Sequence, residues 1–345
     1  VLTGLLAGST GVLSAGCSKP DSSGGTDSVG DETDVRIGFF PNVTHAPALV
    51  AQARGLLDAA IGPGRVSTKS FNAGPDVIQA ILGGSLDISY IGPNPTITAY
   101  AQSRGEAVRV IAGCTSGGAA LIVKASITSP GQLAGTRLAS PQLGNTQDVA
   151  LRYWLSTQGL TADVEGGGDV AILPQKNSAA VQAFSSGQID GAWVPEPYAT
   201  ALVRAGGVVL VDERTLWPNG AFVTTDVIVR TTFLQQNPAA VAAFLTAHLD
   251  SLDAIAADPA RAQRDVAAQI KTITEQDVEA DLLSAAWQNL SFTADPLAST
   301  LRASAAHAEK VGLLKDKPDD DFAALYDLQL LNKALTARGL KEVTS

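Results

Sequence analysis

From Val35 onward the chain alternates short apolar runs with longer amphipathic stretches. VRIGFF, RVSTKSF, LDISYIG, VRVIAG, AALIVK, TRLAS, VAIL, GAWV, VVLVD and DVIVR are short and bounded by polar or turn-forming residues, which predicts strands. Stretches with helical spacing separate them, so the expected class is α/β with mostly parallel sheets and crossover helices. The pattern changes near Pro238. AAVAAFLTAHLDSLDAIAAD and DFAALYDLQLLNKALTARG repeat apolar residues at helical spacing, and strand signals stop after about Arg230. A helical C-terminal tail packed on the α/β body is expected. No repeat of fixed period stands out.

Two segments ahead of Val35 do not fit a core. Residues 1–16, VLTGLLAGSTGVLSAG, are apolar or small and uncharged, and they run straight into Cys17. That is how a lipoprotein signal peptide reads when entered part-way through, with Cys17 as the lipidation site. Ser14 stands three positions before Cys17 where a lipobox usually has Leu, and Leu13 lies one position further back. A membrane-spanning helix needs about 20 apolar residues, and this run is shorter and rich in Gly and Ser. Residues 18–34 carry five acids and one Lys, with Val29 as their one aliphatic residue. Such a segment buries too little surface to offset chain entropy and reads as a flexible tether. The expected organisation is a signal segment over 1–17, a tether over 18–34, and an extracytoplasmic globular body anchored to the membrane by lipid.

Composition narrows the function classes. At roughly 150 residues per domain, 345 residues with 45% hydrophobic content suggest two lobes or one large domain, with ample apolar material for a core. Lys+Arg number 24 and Asp+Glu 34, a net charge of −10, of which the tether holds −4 and the body −6. A chain this acidic offers no basic field, so no nucleic-acid partner is expected. Cys17 and Cys114 cannot build a disulfide framework, and His45, His248 and His307 lack metal-ligand spacing. No metal and no resident cofactor are expected. Cys114, in RVIAGCTSG, has no assignable His partner and reads as a buried structural residue.

The chemistry-bearing residues cluster where strands end and helices begin. GFFPNVTHAPALVAQARG offers Asn42, Thr44 and His45 before a helix closing at Gly55, and KSFNAGPDV offers Asn72 and Gly74 ahead of Pro75. YIGPNPTITAYAQSRG offers Gly92 and Asn94, and ASPQLGNTQDVALRYW offers Gly144, Asn145, Thr146 and Gln147. GAWVPEPYATALV adds Trp193, Glu196 and Tyr198, while Thr115 and Ser116 follow Cys114 at another strand end. Open α/β sheets bind ligands beyond the carboxyl ends of their strands. Helix N-termini there supply unpaired N–H groups and about half a positive charge, so an anion can be held without Lys or Arg. Asn145 and Thr146 also suit simple helix capping, and the two roles can coexist. Trp193 fits a strand core as well as a cleft rim. Glu196 fits either a ligand amine or a place at its own helix start. Asp87 and Asp190, in GSLDISYIG and GQIDGAWVP, read as turn residues. Arg152, Tyr153 and Trp154 read as helix residues that pack or face solvent.

The run LAGTRLASPQLGNTQDVALRYWLSTQGL, followed by AILPQKNSAAVQAFSSGQIDGAWVPEPYATAL, resembles the solute-binding proteins of nitrate/sulfonate/taurine-type ABC importers. RIGFFPNVTHAPALVAQARGLLD, VIQAILGGSLDISYIGPNP and DFAALYDLQLLNKALTARGL fit the same family in order, so the similarity spans nearly all of 35–340. The resemblance implies a type II periplasmic-binding-protein fold, with two lobes and two chain crossings near Ser116–Ala119 and Phe222–Thr225. Lobe one would comprise 35–117 and 224–345, and lobe two 118–223, closing on a ligand between them. It implies a monomer that performs no chemistry and captures a small anionic or zwitterionic solute, foremost an aliphatic sulfonate or taurine. Delivery would be to ABC permease membrane subunits working with a cytoplasmic ATPase. Nitrate-like ions, thiamine-pyrimidine precursors and riboflavin-like compounds are alternative solutes. A pyrimidine-synthase-like enzyme on this scaffold, consuming its own histidine and pyridoxal phosphate, would need Lys69 and His45 together in the cleft. A module that signals instead of transporting is a third reading.

Overall fold

The computed structural model describes residues 33–318 and 322–345. The expected signal segment with Cys17, and the expected tether up to residue 32, lie outside the described residues. Eleven strands among the described residues form two sheets. They are β1 (Val35–Phe39), β2 (Val66–Ser70), β3 (Ile88–Ile91), β4 (Val108–Gly117), β5 (Ala119–Lys124) and β6 (Arg137–Ser140). Then follow β7 (Ala171–Pro174), β8 (Gly191–Pro195), β9 (Gly207–Asp212), β10 (Val223–Arg230) and β11 (Leu290–Phe292). The first sheet has the order β11-β4-β10-β3-β1-β2 and the second β7-β6-β8-β5-β9.

The helices alternate with the strands in the first two thirds of the chain. They are α1 (Ala46–Ala53), α2 (Leu56–Ile61), α3 (Gly74–Leu82), α4 (Pro93–Gln102), α5 (Thr146–Thr157), α6 (Asn177–Ser185) and α7 (Tyr198–Arg204). The last third adds α8 (Thr231–Gln236), α9 (Pro238–Ala257), α10 (Pro259–Thr274), α11 (Ala280–Trp287), α12 (Ala298–Lys310) and α13 (Gln329–Ala337). The class is α/β, as the alternation predicts.

Each sheet carries helices on both faces, with its own apolar cores. On one face of the first sheet, Ile37, Tyr90 and Val227 pack with Leu49, Phe244, Leu245, Val266 and Leu331. On the other, Ile91 and Ile228 pack with Ile78, Ile97, Tyr100 and Leu301. The second sheet buries Leu138 and Trp193 against Leu151 and Trp154 of α5, and Ile122 and Ala192 against Phe184 and Leu202 of α6 and α7. Burying a side chain of this size contributes about 1.5–3 kcal/mol, so each lobe has a core of its own. The twenty-residue α9 is apolar because Val241, Phe244, Leu245 and Ile255 all enter the first core.

Two expectations are corrected. The sheets are mixed, not mostly parallel. The β1–β2, β1–β3, β6–β7 and β6–β8 ladders are parallel, but β10 runs antiparallel to β3 and β4, and β5 antiparallel to β8 and β9. The antiparallel ladders belong to the strands that carry the chain between the sheets, where no crossover helix intervenes. The C-terminal third is also not wholly helical. Leu290–Phe292 forms β11, antiparallel to β4 at Thr115–Gly117. Leu290-Ser291-Phe292 alternates, but three residues are too short a run to signal a strand, and the edge of β4 supplies the hydrogen-bonding groups that make them one.

The chain leaves the first sheet at Gly117 and Gly118, both in the left-handed region, with φ of +79° and +73°. A side chain at Gly118 would also run into Leu290. The return runs from Asp212 to Val223 through two short turns of 3-10 helix, Glu213–Leu216 and Pro218–Gly220. The lobes touch through several side chains. Tyr153 of α5 stacks on His307 of α12 with ring centroids 3.5 Å apart, and Arg204 of α7 pairs with Glu279 and with Asp281 of α11. Val149 of α5 enters the core formed with α4 and α12.

Candidate binding site

The carboxyl ends of strands from both sheets converge on one small cavity. The first lobe contributes Phe40, Asn42, Thr44 and His45 after β1, Asn72 after β2, Gly92 after β3, and Thr224 of β10. The second contributes Asn145, Thr146 and Gln147 after β6, Asn177 after β7, and Pro195 at the end of β8. The space left between these residues is tight, about 20 Å³, room for little more than one water-sized group in this conformation. Among the described residues, none that lines it carries a formal charge at neutral pH.

Neutral polar groups dominate this lining. Thr44 Oγ1 donates to Asn42 Oδ1 at 2.6 Å, which engages the Asn42 carbonyl and leaves its amide N–H groups as donors. The Phe40 N–H donates to His45 Nδ1 at 3.3 Å, which places the ring proton of the neutral imidazole on Nε2. Burial lowers the His45 pKa to about 3, so the ring stays neutral. Thr146 Oγ1 and Asn177 Oδ1 are buried without a hydrogen-bond partner. A buried hydroxyl with no partner is costly unless something fills its place. Both residues open helices, α5 and α6, whose first N–H groups carry partial positive charge.

A buried carboxylate holds the α5 turn. Asp148 accepts from Ser140 Oγ at 2.7 Å, the Gly144 N–H at 2.9 Å and Arg152 Nε at 3.1 Å. Arg152 in turn donates to Ala162 O and Asp163 O. The Asn145 side chain makes no capping bond and stays available to the cavity. On the facing lobe, Thr115 Oγ1 donates to Thr44 O at 2.7 Å and so buttresses the wall from behind. This set of neutral donors and helix starts suits a small oxyanion, whose charge spreads over several acceptors.

Of the residues singled out from sequence, Asn42, Thr44, His45, Asn72, Gly92, Asn145, Thr146 and Gln147 line this cavity. The others are engaged elsewhere. Gly74 lies against Pro95, and Asn94 Nδ2 donates to Ser304 O at 3.2 Å. Ser116 Oγ accepts the Phe222 N–H at the chain crossing, and the Gly144 N–H goes to Asp148. Trp193 is fully buried and donates from Nε1 to Glu213 at 2.8 Å. Glu196 accepts from the Thr200 N–H and Oγ1, both at 3.0 Å, and from Asn289 Nδ2 at 2.6 Å. Burial raises its pKa, and its carboxylate ties α7 to the first lobe without reaching the polar cavity. Tyr198 lines a neighbouring groove. Lys69 is exposed on β2 with Nζ 5.2 Å from the Phe71 ring, so it does not meet His45 in the cavity. Phe40, Asn177, Pro195 and Thr224 were not anticipated. For Asn177 a signal existed, since KNSAA repeats the strand-end Asn before a helix seen at Asn145.

Residues 29–272 match the profile of the NMT1-like family. The chain belongs to the NMT1-like family. Over 217 residues this NMT1-like chain is 31% identical to the taurine-binding periplasmic protein of Escherichia coli (strain K12), covering 62% of this chain and 64% of that relative. The match thus spans just under two thirds of that protein's length. Among solved structures it is similar to the alkanesulfonate-binding protein SsuA of Xanthomonas axonopodis pv. citri bound to MOPS. There the TM-score is 0.69 at 17% identity, covering 82% of this chain and 94% of the other. It is also similar to the nitrate-binding protein NrtA of Synechocystis PCC 6803, with a TM-score of 0.73 at 17% identity, covering 88% and 89%. At such identities the likeness shows the fold, which is that of the periplasmic binding proteins. The resemblance read from the sequence is borne out.

Proposed function

We propose that this NMT1-like protein is the extracytoplasmic solute-binding component of an ABC importer and captures a small organic sulfonate of the taurine class. One observation carries the reading: a cavity with no charged lining, walled by neutral donors and helix starts from both lobes, with the Thr146 hydroxyl left without a partner. The taurine-binding relative and the alkanesulfonate-binding neighbour support a sulfonate as the solute. A ligand that touches both lobes stabilises their closed arrangement by its differential contacts. The closed form is then what permease subunits, coupled to a cytoplasmic ATPase, would engage. Lipid attachment through Cys17 and action as a monomer belong to the same proposal.

The reading calls for binding without chemistry. Cys114 is buried, and burial pushes its thiol pKa far up, away from nucleophilic use. The amino-heterocycle alternative drew on a carboxylate in the cleft, and Glu196 is engaged at the α7 start instead. The test is titration calorimetry of the purified protein with taurine, ethanesulfonate and nitrate. A sulfonate should bind, and at 100 times its Kd should stabilise the protein by about 2.7 kcal/mol in thermal melts. An Asn145→Ala, Thr146→Ala double variant removes two hydrogen bonds to a charged group, each worth about 1.5–3 kcal/mol, and should weaken binding at least 100-fold. Undiminished affinity in that variant would remove the site from the proposal. Binding of nitrate but of neither sulfonate would replace the solute class.

A further inference from the structure

We propose that a second cavity, at the first chain crossing, is a binding site for a small amine that carries an apolar chain. It shares no lining residue with the polar cavity, and it does not rest on the sulfonate reading. It lies where the chain enters β5 at Gly118 and Ala119, walled by α7 and β9 on one side and by α11 on the other. It holds about 280 Å³, near the low end of the range for ligand pockets and far more than the polar cavity. Much of its lining is apolar, with Ile122, Ala199, Val203, Val209 and Ala285. Val203 and Val209 are 41% and 53% exposed, so part of that lining is left in contact with water. An apolar chain laid against them would remove this surface from water.

The polar part of the lining decides the charge of the occupant. Among the described residues, Glu196, Asp212 and Arg214 are its charged groups, two acids against one base. Arg214 is committed to Asp212, with Nη2 2.6 Å from Oδ2 and Nε bonded to the same carboxylate. Glu196 is left with neutral donors. Its Oε1 accepts from Thr200 Oγ1 and Asn289 Nδ2, whereas its Oε2 accepts from the Thr200 N–H alone. A carboxylate oxygen has two lone pairs, so Oε2 has room for one more donor. Glu196 is 2% exposed, and a buried carboxylate without an ion pair is a costly arrangement. An ammonium group in the adjoining space supplies both the missing charge and the missing donor. A neutral head supplies at most the donor, and an anionic head would meet the surplus negative charge. The class is therefore a cationic amphiphile, its ammonium on Glu196 and its chain against α7, β9 and α11.

Titration calorimetry with n-hexylamine, 1-hexanol and hexanoate tests this, since similar apolar chains then carry a positive, a neutral and a negative head. Salt at about 0.15 M screens non-specific attraction of the amine to an acidic surface. The wild-type protein should bind hexylamine at least about tenfold more tightly than hexanol, and hexanoate more weakly than either. Glu196→Gln keeps a side chain of the same shape and should erase the advantage of the amine over the alcohol. Ala285→Trp, at an exposed position of α11, fills the cavity and should abolish binding of both, covering the case in which the Glu196 variant does not fold. The Asn145→Ala, Thr146→Ala variant should bind hexylamine as the wild type does. Failure of hexylamine to bind, or equal affinity for amine and alcohol in the wild type, would overturn the site. So would an amine advantage that survives Glu196→Gln, or loss of hexylamine in the Asn145, Thr146 variant. Hexylamine binding in a protein that binds no sulfonate would remove the sulfonate reading and leave this site standing.

Discussion

Glu213 opens the return crossing between the lobes and is fully buried, with the Trp193 and Trp217 indoles hydrogen-bonded to it. Burial outweighs those donors and holds its pKa up at about 7. A glutamate in the unfolded chain titrates near pH 4.3, so the native state holds this proton more tightly. The stability it brings is full below the unfolded pKa and is lost as pH rises through the folded value, so stability should fall between about pH 5 and 7. Trp217 stacks on Phe222 and lies 5.6 Å from His307, so its fluorescence should report the same transition. Glu213→Gln should flatten both the fluorescence titration and the melting-temperature profile. A wild-type slope that persists unchanged in the variant would refute this assignment. The same scale shows what local sequence can and cannot specify. Asn42, Asn145 and Thr146 were legible because a strand end followed by a helix start fixes where the polar groups face. Glu196 was not, because its choice between cleft and helix start depends on Asn289, 93 positions away.

Strands and helices repeat one device in both lobes. The Arg36 N–H of β1 donates to Asp87 ahead of β3, and the Arg137 N–H of β6 donates to Asp190 ahead of β8. The matching GSLD and GQID turns are the sequence trace of this shared β-α-β construction, in which an Asp pins two parallel neighbours at their entry ends. Each strand was legible from its own apolar run, with β11 the exception. Strand direction was not legible, because parallel and antiparallel pairing are decided by partners distant in sequence. At the α5 turn, element and site are coupled through Asp148. Asp148→Ala would strand the buried Arg152 guanidinium, and removing one partner of such a pair costs about 3–5 kcal/mol. It would also release Gly144 and Ser140 from the turn that presents Asn145 and Thr146. Chemical denaturation should show that loss, and calorimetry should show weakened sulfonate binding in the protein that remains folded. Wild-type stability together with wild-type affinity would mean that the network does not position the turn.

The start of α4 and the start of α5 meet closely at Gly92. A side chain there would collide with Thr146 Oγ1 across the cleft and sit 3.5 Å from Thr224 O. Its φ of −76° suits any residue, so the need for glycine is one of space between lobes and not of backbone freedom. Gly92→Ala therefore leaves both cores intact while opposing the approach of α5 to α4. Two responses are open to the variant, and both weaken binding. Either the lobes stay further apart, or Thr146 turns its hydroxyl out of the cavity and the ligand loses a donor. The expected result is a melting temperature near wild type without ligand, but sulfonate affinity reduced by about tenfold or more, the loss of roughly one hydrogen bond to a charged group. Small-angle scattering separates the two responses. A radius of gyration that stays large at saturating sulfonate points to blocked closure, and one that contracts as in the wild type points to the rotated threonine. Wild-type affinity in Gly92→Ala would show that the ligand-bound form does not need the contact between Gly92 and Thr146.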